Sequence, residues 1–480
     1  MSIPSLPVVI VGAGPVGLAA ALHVRARGLT PLVLEAGTSV GTSVRRWAHV
    51  RMFSPWEYNI DKLARELLIA HGWAPPDPAQ YPTGRDVIER YLEPLAAVPE
   101  LSAQIRFNAR VIAVTRQRHD RQRNAQRNST PFVVRYLDRG REAEILAAAV
   151  VDASGTMDTP NPMGASGIQA IGERAAHEHI AYGIPDVMGD QRTRYANRRV
   201  LVVGCGHSAF NVLTDLVRLR QDAAHTEIHW AVRRTSLRRV LGGGEADQLE
   251  ERGRLGLRIA RLVESGAIAV HTGVHIDRVE STANGYVVSS DQTALPAVDE
   301  MVVVTGFRPD LAMLDEVRLD VDPGTQSPRA LAPLIDPNLH SCGTVRPHGA
   351  AELKQPDPDL YVVGMKSYGR APTFLLLTGY EQVRSVAAAL AGDWESARRV
   401  ELVLPETGMC STQLDDETSS AAAGCCGGPA PAGANACCVA DADAKAAGEA
   451  GCGCGPKEAP AVVEATAPKK TSCCGPARAA

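Results

Sequence analysis

Two glycine-rich turns of the same spacing constrain this chain more than any other feature. Residues 8–11 and 200–203 are apolar and mostly β-branched, and each run is followed by the pattern G-x-G-x-x-G/A and then by a helical pattern. The first glycine allows a tight turn, and the second lets the backbone approach a pyrophosphate at the positive end of the next helix. Two such units predict that the chain binds two dinucleotides. The residues expected to line the turns are Gly12, Gly14, Pro15 and Gly17 in the first and Gly204, Gly206, His207, Ser208 and Ala209 in the second.

An acid at the end of the next strand identifies the dinucleotide expected at the first turn. Residues 30–34 predict a strand, and Glu35 and Ala36 follow it. A carboxylate at this position accepts hydrogen bonds from a ribose diol and repels a 2′-phosphate. The first turn is therefore predicted to bind FAD.

The corresponding position after the second turn carries cations instead. Residues 227–232 predict a strand, which leads into Arg233 and Arg234 with no acid. Two guanidinium groups suit a 2′-phosphate because they form bidentate, charge-assisted hydrogen bonds. The second cofactor is therefore predicted to be NADPH rather than NADH, and the alternative is a solvated strand end. Electrons would then pass from a nicotinamide to a flavin.

Small residues end two further predicted strands. Residues 147–152 lead towards Gly155, and residues 301–304 lead into Thr305 and Gly306. Because small residues let the backbone pass close to a cofactor, we expect the chain to cross between two domains at these points. The predicted fold class is α/β, with two Rossmann-like, three-layer ββα domains and the NADPH domain inserted in the FAD domain. The expected ranges are 1–160 for the first part of the FAD-binding domain, 161–299 for the NAD(P)H-binding domain, 300–404 for the second part of the FAD-binding domain and 405–480 for a disordered, cysteine-rich tail.

The last folded stretch also carries cofactor candidates. Residues 360–363 predict a strand that ends at Gly364, and residues 376–391 predict a helix with Thr378 and Gly379 in its first turn. A helix N-terminus aimed at the flavin would stabilise the negative charge that appears on reduction. The alternative is a plain surface helix.

Residues 41–56 are rich in aromatic and basic side chains, although only 4% of the chain is aromatic. This segment follows the Glu35 strand, where such folds run past the flavin ring. Its aromatic residues are equally consistent with a pocket lining and with an ordinary core, and we expect at least one of them near the flavin. The candidates for catalytic roles in this segment are Trp47, His49 and Arg51, with Trp47 also a candidate for cofactor binding. Position alone makes His49, Arg51 and Lys366 candidates for a general base, with a structural role as the alternative for each.

Charge and hydropathy exclude two classes of partner. The formal net charge is −4, and the basic run 116–128 joins two strand-like pieces, residues 105–114 and 131–138, as expected of a solvated hairpin tip rather than a nucleic-acid site. The apolar stretch 6–22 is interrupted by the fingerprint glycines and lacks a basic flank, so it predicts a strand and a helix rather than a signal peptide or membrane span. We therefore expect a cytoplasmic protein with no nucleic-acid or membrane partner.

Over residues 1–404 the chain resembles the two-dinucleotide flavoproteins, a superfamily that includes thioredoxin reductases and flavin-containing monooxygenases. Thioredoxin-reductase-like proteins carry a Cys-x-x-Cys motif in the nicotinamide domain, and glutathione-reductase-like proteins carry a dithiol near the first glycine turn. This body contains only Cys205 and Cys342, which fit small structural residues or isolated thiols. The reductases also have an acid after the last-strand glycine, where this chain has Met365 and Lys366.

These departures favour the monooxygenase branch. That resemblance implies that NADPH reduces FAD and that O₂ adds to give a flavin C4a-(hydro)peroxide, which transfers oxygen to a small-molecule substrate inside a water-excluding pocket. It places Trp47 near the branch's Gly-Gly-x-Trp-like segment, and it places Asn59 near the asparagine beside the flavin C4a, with a turn asparagine as the alternative. The branch's Phe-x-Gly-x-x-x-His signature is absent, since His177 and His179 have a different spacing.

The tail has a different composition from the body. Ala, Gly and Pro supply 35 of the 60 residues in 421–480, so no core can form there and disorder is expected. Nine of the eleven cysteines nevertheless lie from Cys410 onward. Thiolates on such a segment suit soft ions, namely arsenite, Hg²⁺, Cu(I) or Zn²⁺. The candidate ligands are Cys425, Cys426, Cys437, Cys438, Cys452, Cys454, Cys473 and Cys474.

The tail resembles the vicinal-cysteine tails of arsenical metallochaperones and of mercuric reductase. With its body, the chain resembles flavin monooxygenase-like proteins of arsenic-resistance systems. The resemblance implies NADPH-dependent oxygenation, with O₂ and a small molecule as substrates and arsenite or another thiophilic ion as a further ligand. Two alternatives stay open, a reductase fed by the tail cysteines and a non-catalytic metal scavenger. A homodimer is a further expectation.

Overall fold

The computed structural model of the chain describes residues 6–237, 240–241, 250–338, 345, 347–371 and 375–402. The chain divides into two units, residues 1–414 and 415–480, and every described residue belongs to the first. The cysteine-rich tail, with all eight candidate metal ligands, lies outside the described residues, and so does Cys342.

The strands form two five-stranded sheets, one three-stranded sheet and one two-stranded sheet among the described residues. Their bounds in chain order are β1 Val8–Val11, β2 Pro31–Leu34, β3 Ile105–Arg106, β4 Ala109–Arg116, β5 Phe132–Asp138, β6 Arg141–Ala147, β7 Ala149–Asp152, β8 Ile180–Tyr182, β9 Arg199–Val203, β10 Glu227–Ala231, β11 Ala269–His271, β12 Arg278–Thr282, β13 Gly285–Ser289, β14 Glu300–Val303 and β15 Leu360–Val362.

The described helices are mostly short, and four of them exceed ten residues. Their bounds are α1 Pro15–Ala26, α2 Thr42–Arg45, α3 Lys62–Ala70, α4 Gly84–Val87, α5 Glu93–Ala97, α6 Pro99–Ser102, α7 Arg192–Tyr195, α8 His207–Asp222, α9 Glu250–Glu264, α10 Ala332–Ile335, α11 Ala350–Leu353, α12 Leu376–Leu390 and α13 Trp394–Arg398. A further segment, Ile88–Leu92, forms a π-helical turn between α4 and α5. No described helix is both long enough and apolar enough to cross a membrane.

The first sheet has the order β15-β7-β1-β2-β3, and all its pairings are parallel. Helix α1 links β1 to β2, which is the crossover that parallel neighbours need. All four residues of β1 are buried, because one face of the sheet packs against helices and the other against a second sheet. Val8 and Ile10 belong to the core that contains α1 and α12, whereas Val9 and Val11 belong to the core that contains the antiparallel sheet β4-β5-β6.

The second five-stranded sheet repeats this three-layer plan. Its order is β11-β10-β9-β14-β8, again with every pairing parallel. Val200 and Val202 pack against α8 on one face, and Leu201 and Val203 pack on the other face in the core that contains the hairpin β12–β13. The predicted α/β class with two dinucleotide-binding, three-layer halves is confirmed.

The order of the strands along the chain is the one expected if one dinucleotide-binding domain is inserted in the other. The strands of the second sheet lie in residues 180–303, between β7 and β15 of the first sheet. Two chain segments connect the sheets, and they run side by side. The Asn161 amide donates to the Gly306 carbonyl at 2.9 Å, and the Arg308 amide donates to the Thr159 carbonyl at 3.0 Å. The exact domain boundaries stay a prediction.

Candidate functional site

The first glycine turn is shaped to hold a phosphate group. Gly12 has a φ of +99°, and a Cβ atom there would lie 3.0 Å from the Ala153 carbonyl oxygen. A Cβ atom on Gly17 would lie only 1.9 Å from the Gly12 oxygen, so α1 packs directly on the turn. Gly14, by contrast, has no heavy atom within 4 Å of its Cβ position, and no side chain caps the helix that begins at Pro15. The turn therefore offers open space and uncapped first-turn amides, which fits a pyrophosphate.

Glu35 lies directly beside this turn. Its carboxylate is 7% exposed and accepts hydrogen bonds from the amides of Ala13 at 2.7 Å and Gly37 at 2.8 Å. Each carboxylate oxygen has a second lone pair available, so the group can still receive ribose hydroxyls. Ala36, the next residue, is exposed. The position of Glu35 fits the FAD ribose role that the sequence predicts for it.

The second glycine turn has the same construction. Gly204 has a φ of +135°, and a Cβ atom there would lie 2.4 Å from the Val304 carbonyl oxygen. The Trp230 indole donates to the Gly204 carbonyl at 2.7 Å, which fixes the turn to the neighbouring strand. Gly206 has no heavy atom within 4 Å of its Cβ position and forms the uncapped N-terminus of α8. His207 and Ser208 open this helix half-buried, and Ala209 is fully buried.

The two arginines after β10 differ in their surroundings. Arg233 is exposed, and its guanidinium donates to the Ala165 carbonyl at 3.4 Å. Arg234 is only 6% exposed. Arg233 is therefore the residue of the two that a 2′-phosphate can reach from solvent, and that role stays a prediction for both.

The strand ends that the sequence singled out lie against the two turns. Gly12 contacts Ala153 and Ser154, which follow β7, and Gly204 contacts Val304, which follows β14. Further along, Gly155 has a φ of +73° with open space at its Cβ position, and Gly306 has a φ of +86°. The Thr305 hydroxyl donates to the Asn161 carbonyl at 2.9 Å and so holds the two connecting segments together.

The aromatic segment approaches the second turn. The Phe53 ring centroid lies 5.3 Å from that of His207, at the start of α8. The half-buried Trp47 packs on Gly84, whose added Cβ atom would lie 2.8 Å from the indole Cε3. Trp56 is 1% exposed and belongs to the main core. Trp56 is thus part of the core and Trp47 packs against that core, while Phe53 lies beside the second glycine turn.

The catalytic candidates of this segment occupy different environments. Arg51 is exposed and lies over the Tyr81 ring at 5.9 Å. The His49 Nε2 atom is buried and has no hydrogen-bond partner among the described residues. His49 is close enough to Asp215 of α8 to influence the pKa of that carboxyl group. Burial raises the pKa of Asp215, while the charges of Arg218 and His49 act in the opposite direction.

Asn59 has the geometry of a turn asparagine, which is the alternative that the sequence left open. Its amide nitrogen donates to the carbonyls of Ser54 at 2.8 Å and Pro55 at 2.7 Å, and its amide oxygen accepts from the Ser54 hydroxyl at 3.0 Å. Asn59 is 1% exposed. Both amide hydrogens are therefore used inside the turn, and neither is left for a flavin.

The last strand and helix bring together residues that the sequence did not connect. Gly364 follows β15 with a φ of +67°, and its amide donates to the Gln382 side chain at 2.7 Å. Gln382 is fully buried on α12, one helical turn after the buried residues Thr378 and Gly379, and no side chain caps the N-terminus of this helix. Lys366 lies two residues beyond Gly364 and forms a buried ion pair with Asp152 at 2.6 Å. Sequence reasoning missed Gln382 and the partner of Lys366, because no local pattern marks either of them.

A known protein family has the features described above. Residues 9–330 match the family model described as pyridine nucleotide-disulphide oxidoreductase, and the chain belongs to that family. It is an oxidoreductase of the flavin- and pyridine-nucleotide-dependent type, and the predicted cofactors, FAD and NADPH, are confirmed at this level.

Two curated relatives are plant enzymes. The chain is 34% identical over 212 residues to the indole-3-pyruvate monooxygenase YUCCA1 of Oryza sativa subsp. japonica, covering 44% of this chain and 45% of that protein. It is 28% identical over 208 residues to the indole-3-pyruvate monooxygenase YUCCA6 of Arabidopsis thaliana, covering 43% of this chain and 44% of that protein. The chain thus spans somewhat less than half the length of these relatives.

Solved structures support the fold. The bacillithiol disulfide reductase Bdr of Bacillus cereus superposes with a TM-score of 0.57 at 21% identity, covering 81% of this chain and 99% of that chain. The FAD-bound cadaverine monooxygenase DfoA of Erwinia amylovora superposes with a TM-score of 0.56 at 14% identity, covering 84% and 99%. Both reductases and monooxygenases therefore share this fold, and the fold alone does not choose between them.

Proposed function

We propose that this protein is a flavin monooxygenase-like enzyme that consumes NADPH, O₂ and a small-molecule substrate. One observation carries the proposal: no cysteine pair accompanies the two dinucleotide turns. Residues 1–404 contain only Cys205 and Cys342, and Cys205 is exposed within the second glycine turn. An enzyme that passes electrons through a dithiol needs two cysteines close together, whereas oxygen transfer needs none. The 34% identity to an indole-3-pyruvate monooxygenase supports the same conclusion.

Individual residues of the described part of the chain have separate roles in this proposal. Bound FAD accepts a hydride from NADPH and delivers electrons to the acceptor. Gly14 and Gly206 leave room for the two pyrophosphates, and Glu35 and Arg233 distinguish the two riboses. Phe53 lies against the start of α8 and, with its apolar ring, helps to exclude water there.

The tail adds a second part to the proposal. We infer that its vicinal cysteines capture a thiophilic ion, with arsenite as the leading candidate, and that the enzyme serves metalloid resistance. Adjacent cysteines such as Cys425 and Cys426 make a strained ring if they are joined to each other, so their thiols stay available in a reducing compartment. Soft thiolates favour arsenite and Hg²⁺ over hard ions. We therefore place the enzyme in the cytoplasm.

Oxygen stoichiometry tests the first part. Purified holoprotein should oxidise NADPH with O₂ consumed in step with oxygenated product, and anaerobic NADPH turnover should stop after one reduction of the flavin. Sustained anaerobic turnover with arsenite, Hg²⁺ or a disulfide would instead establish a reductase. Release of all the consumed O₂ as hydrogen peroxide, whichever candidate substrate is added, would contradict the oxygenase assignment.

The family name and the cysteine clusters favour one alternative, a reductase that receives its substrate from the tail. A chain ending at Met409 separates the two functions. An oxygenase should keep its NADPH and O₂ turnover after this truncation, with the loss confined to arsenite binding measured by equilibrium dialysis. A tail-fed reductase should lose turnover. The matched control is the full-length chain with the eight candidate ligands changed to serine, which keeps the length of the tail.

A further inference from the structure

The buried ion pair between Lys366 and Asp152 occupies an unusual place in the fold. The Lys366 ammonium lies 2.6 Å from an Asp152 carboxylate oxygen and donates to the Ser154 hydroxyl at 3.0 Å. The Ser154 hydroxyl in turn donates to the other Asp152 oxygen at 2.6 Å. The Lys366 side chain is 2% exposed and that of Asp152 is fully buried. A buried ion pair seldom stabilises a fold more than apolar residues would, so its position suggests a purpose other than stability.

The ammonium has more donors than the described residues use. A lysine ammonium carries three N–H groups, and the contacts of Lys366 in the described part of the chain are those with Asp152 and Ser154. At least one N–H group is therefore left for another acceptor. Leaving a buried charged donor unsatisfied is costly, which indicates that something outside the described residues accepts it.

Two segments beside Lys366 border the first glycine turn and the helix that follows it. Ser154 follows β7, and its Cα atom would lie 3.2 Å from a Cβ atom on Gly12. On the other side, Gly364 is two residues before Lys366, and a Cβ atom there would lie 3.4 Å from the Val16 side chain in the first turn of α1. The ammonium is thus held between two segments that border the turn and the helix N-terminus where the FAD pyrophosphate is expected.

We propose that Lys366 is a cofactor-positioning residue whose remaining N–H group binds a phosphate oxygen of FAD. Asp152 and Ser154 hold the ammonium in a fixed orientation, so the cation is already in place before the cofactor arrives. This inference depends on FAD binding alone and not on whether the enzyme oxygenates or reduces its substrate.

The test is a titration of flavin-stripped, full-length protein with FAD, in which binding is measured as the quenching of flavin fluorescence. Lys366→Met should weaken FAD binding about tenfold or more, because a hydrogen bond to a charged group is lost. Riboflavin, which has no phosphate, should bind the variant and the parent protein alike. Lys354→Met, a change at an exposed lysine of the same region, is the matched control and should leave FAD binding unchanged.

A double variant separates this role from a purely structural one. Lys366→Met alone leaves Asp152 buried without its counter-ion and can therefore unfold the protein, whereas Asp152→Asn with Lys366→Met removes both charges. If Lys366 binds phosphate, the double variant keeps the parent's circular dichroism spectrum and still binds FAD about tenfold more weakly. Recovery of FAD affinity in the double variant would overturn the proposal, and so would an equal loss of riboflavin binding.

Discussion

The ring of Phe53 lies 5.3 Å from the ring of His207, and this contact joins the aromatic segment to the start of the second dinucleotide helix. His207 also meets Phe210 at 5.9 Å, and Phe210 meets Trp230 at 6.0 Å. Trp230 then donates its indole N–H to Gly204. A continuous row of rings thus connects residue 53 with the glycine turn that is expected to hold NADPH.

Phe53→Ala should therefore impair NADPH binding more than FAD binding. The change removes an aromatic contact worth about 0.5–1.5 kcal/mol beyond its buried area, and it frees the His207 ring to move. We expect the KM for NADPH to rise about three- to tenfold, while the FAD content of the purified protein stays the same. Phe53→Leu keeps most of the packing and should have the smaller effect. An unchanged KM in the alanine variant would show that the contact does not matter for the nicotinamide cofactor.

The second glycine turn contains one position, Gly206, where NADPH binding can be tested without disturbing the fold. Gly206 has no heavy atom within 4 Å of its Cβ position and a φ of −92°, which alanine adopts freely. Gly206→Ala should therefore leave the thermal midpoint within about one degree of the parent, and its methyl group should meet the NADPH pyrophosphate. Steady-state kinetics should give a KM for NADPH at least about tenfold higher.

Gly204→Ala provides the contrasting case. Its Cβ atom would lie 2.4 Å from the Val304 carbonyl, at a φ of +135° that side chains rarely adopt. We expect this variant to lose thermal stability as well as NADPH binding, because backbone strain is added at the turn itself. Equal stability of the two alanine variants would contradict the geometry.

Local patterns allowed the turns, their strands and the last helix to be predicted. Residues 376–391 predict a helix from their own sequence, and the structure has one at Leu376–Leu390. A continuous strand over residues 105–114 was wrong. The run breaks at Asn108, which has a φ of 55°, so that β3 pairs with β2 in the first sheet while β4 pairs with β5 in the antiparallel sheet. One apolar run can serve two sheets, and its hydrophobic pattern does not reveal the break.

The contacts that sequence reasoning could not supply are long-range and polar. Lys366 and Asp152 are more than 200 residues apart, and Gln382 reaches Gly364 from a different element. Sequence alone predicts that a lysine lies on the surface, because charged residues are seldom fully buried. Only the folded structure shows that a carboxylate lies beside this one. The tertiary arrangement, rather than any motif, therefore identifies these residues.

The unequal exposure of Arg233 and Arg234 predicts different consequences for their substitution. Arg233→Gln should raise the KM for NADPH about tenfold and change the KM for NADH little, because an exposed guanidinium can meet the 2′-phosphate that only NADPH has. Arg234→Gln alters a side chain that is 6% exposed, so we expect a lower thermal midpoint. The measurement is the ratio of kcat/KM for the two nucleotides. A ratio unaffected by Arg233→Gln would remove this residue from the specificity site.

A second buried ion pair, Arg127 with Asp357, makes a prediction about acid stability. The two side chains are each 1% exposed, and Arg127 donates to both carboxylate oxygens, at 2.8 and 2.7 Å. Burial by itself raises the pKa of Asp357, but the hydrogen bonds from Arg127 and from the Arg318 amide outweigh it and hold the pKa below its ordinary value of 3.8.

A carboxyl group whose pKa is lower in the folded protein contributes stability that is complete above its unfolded pKa and is lost as the pH falls through the folded pKa. The contribution of Asp357 should therefore be constant from pH 7 down to about 5 and should be lost as the pH falls from 3.8 through the lower pKa of the folded protein. Asp357→Asn leaves Arg127 buried without its counter-ion and should cost about 3–5 kcal/mol at pH 7. Thermal midpoints of parent and variant should therefore differ most at neutral pH and converge in strong acid, because the parent also loses the charge there. A difference that stays constant from pH 7 to pH 3 would mean that the Asp357 charge does not stabilise the fold through Arg127.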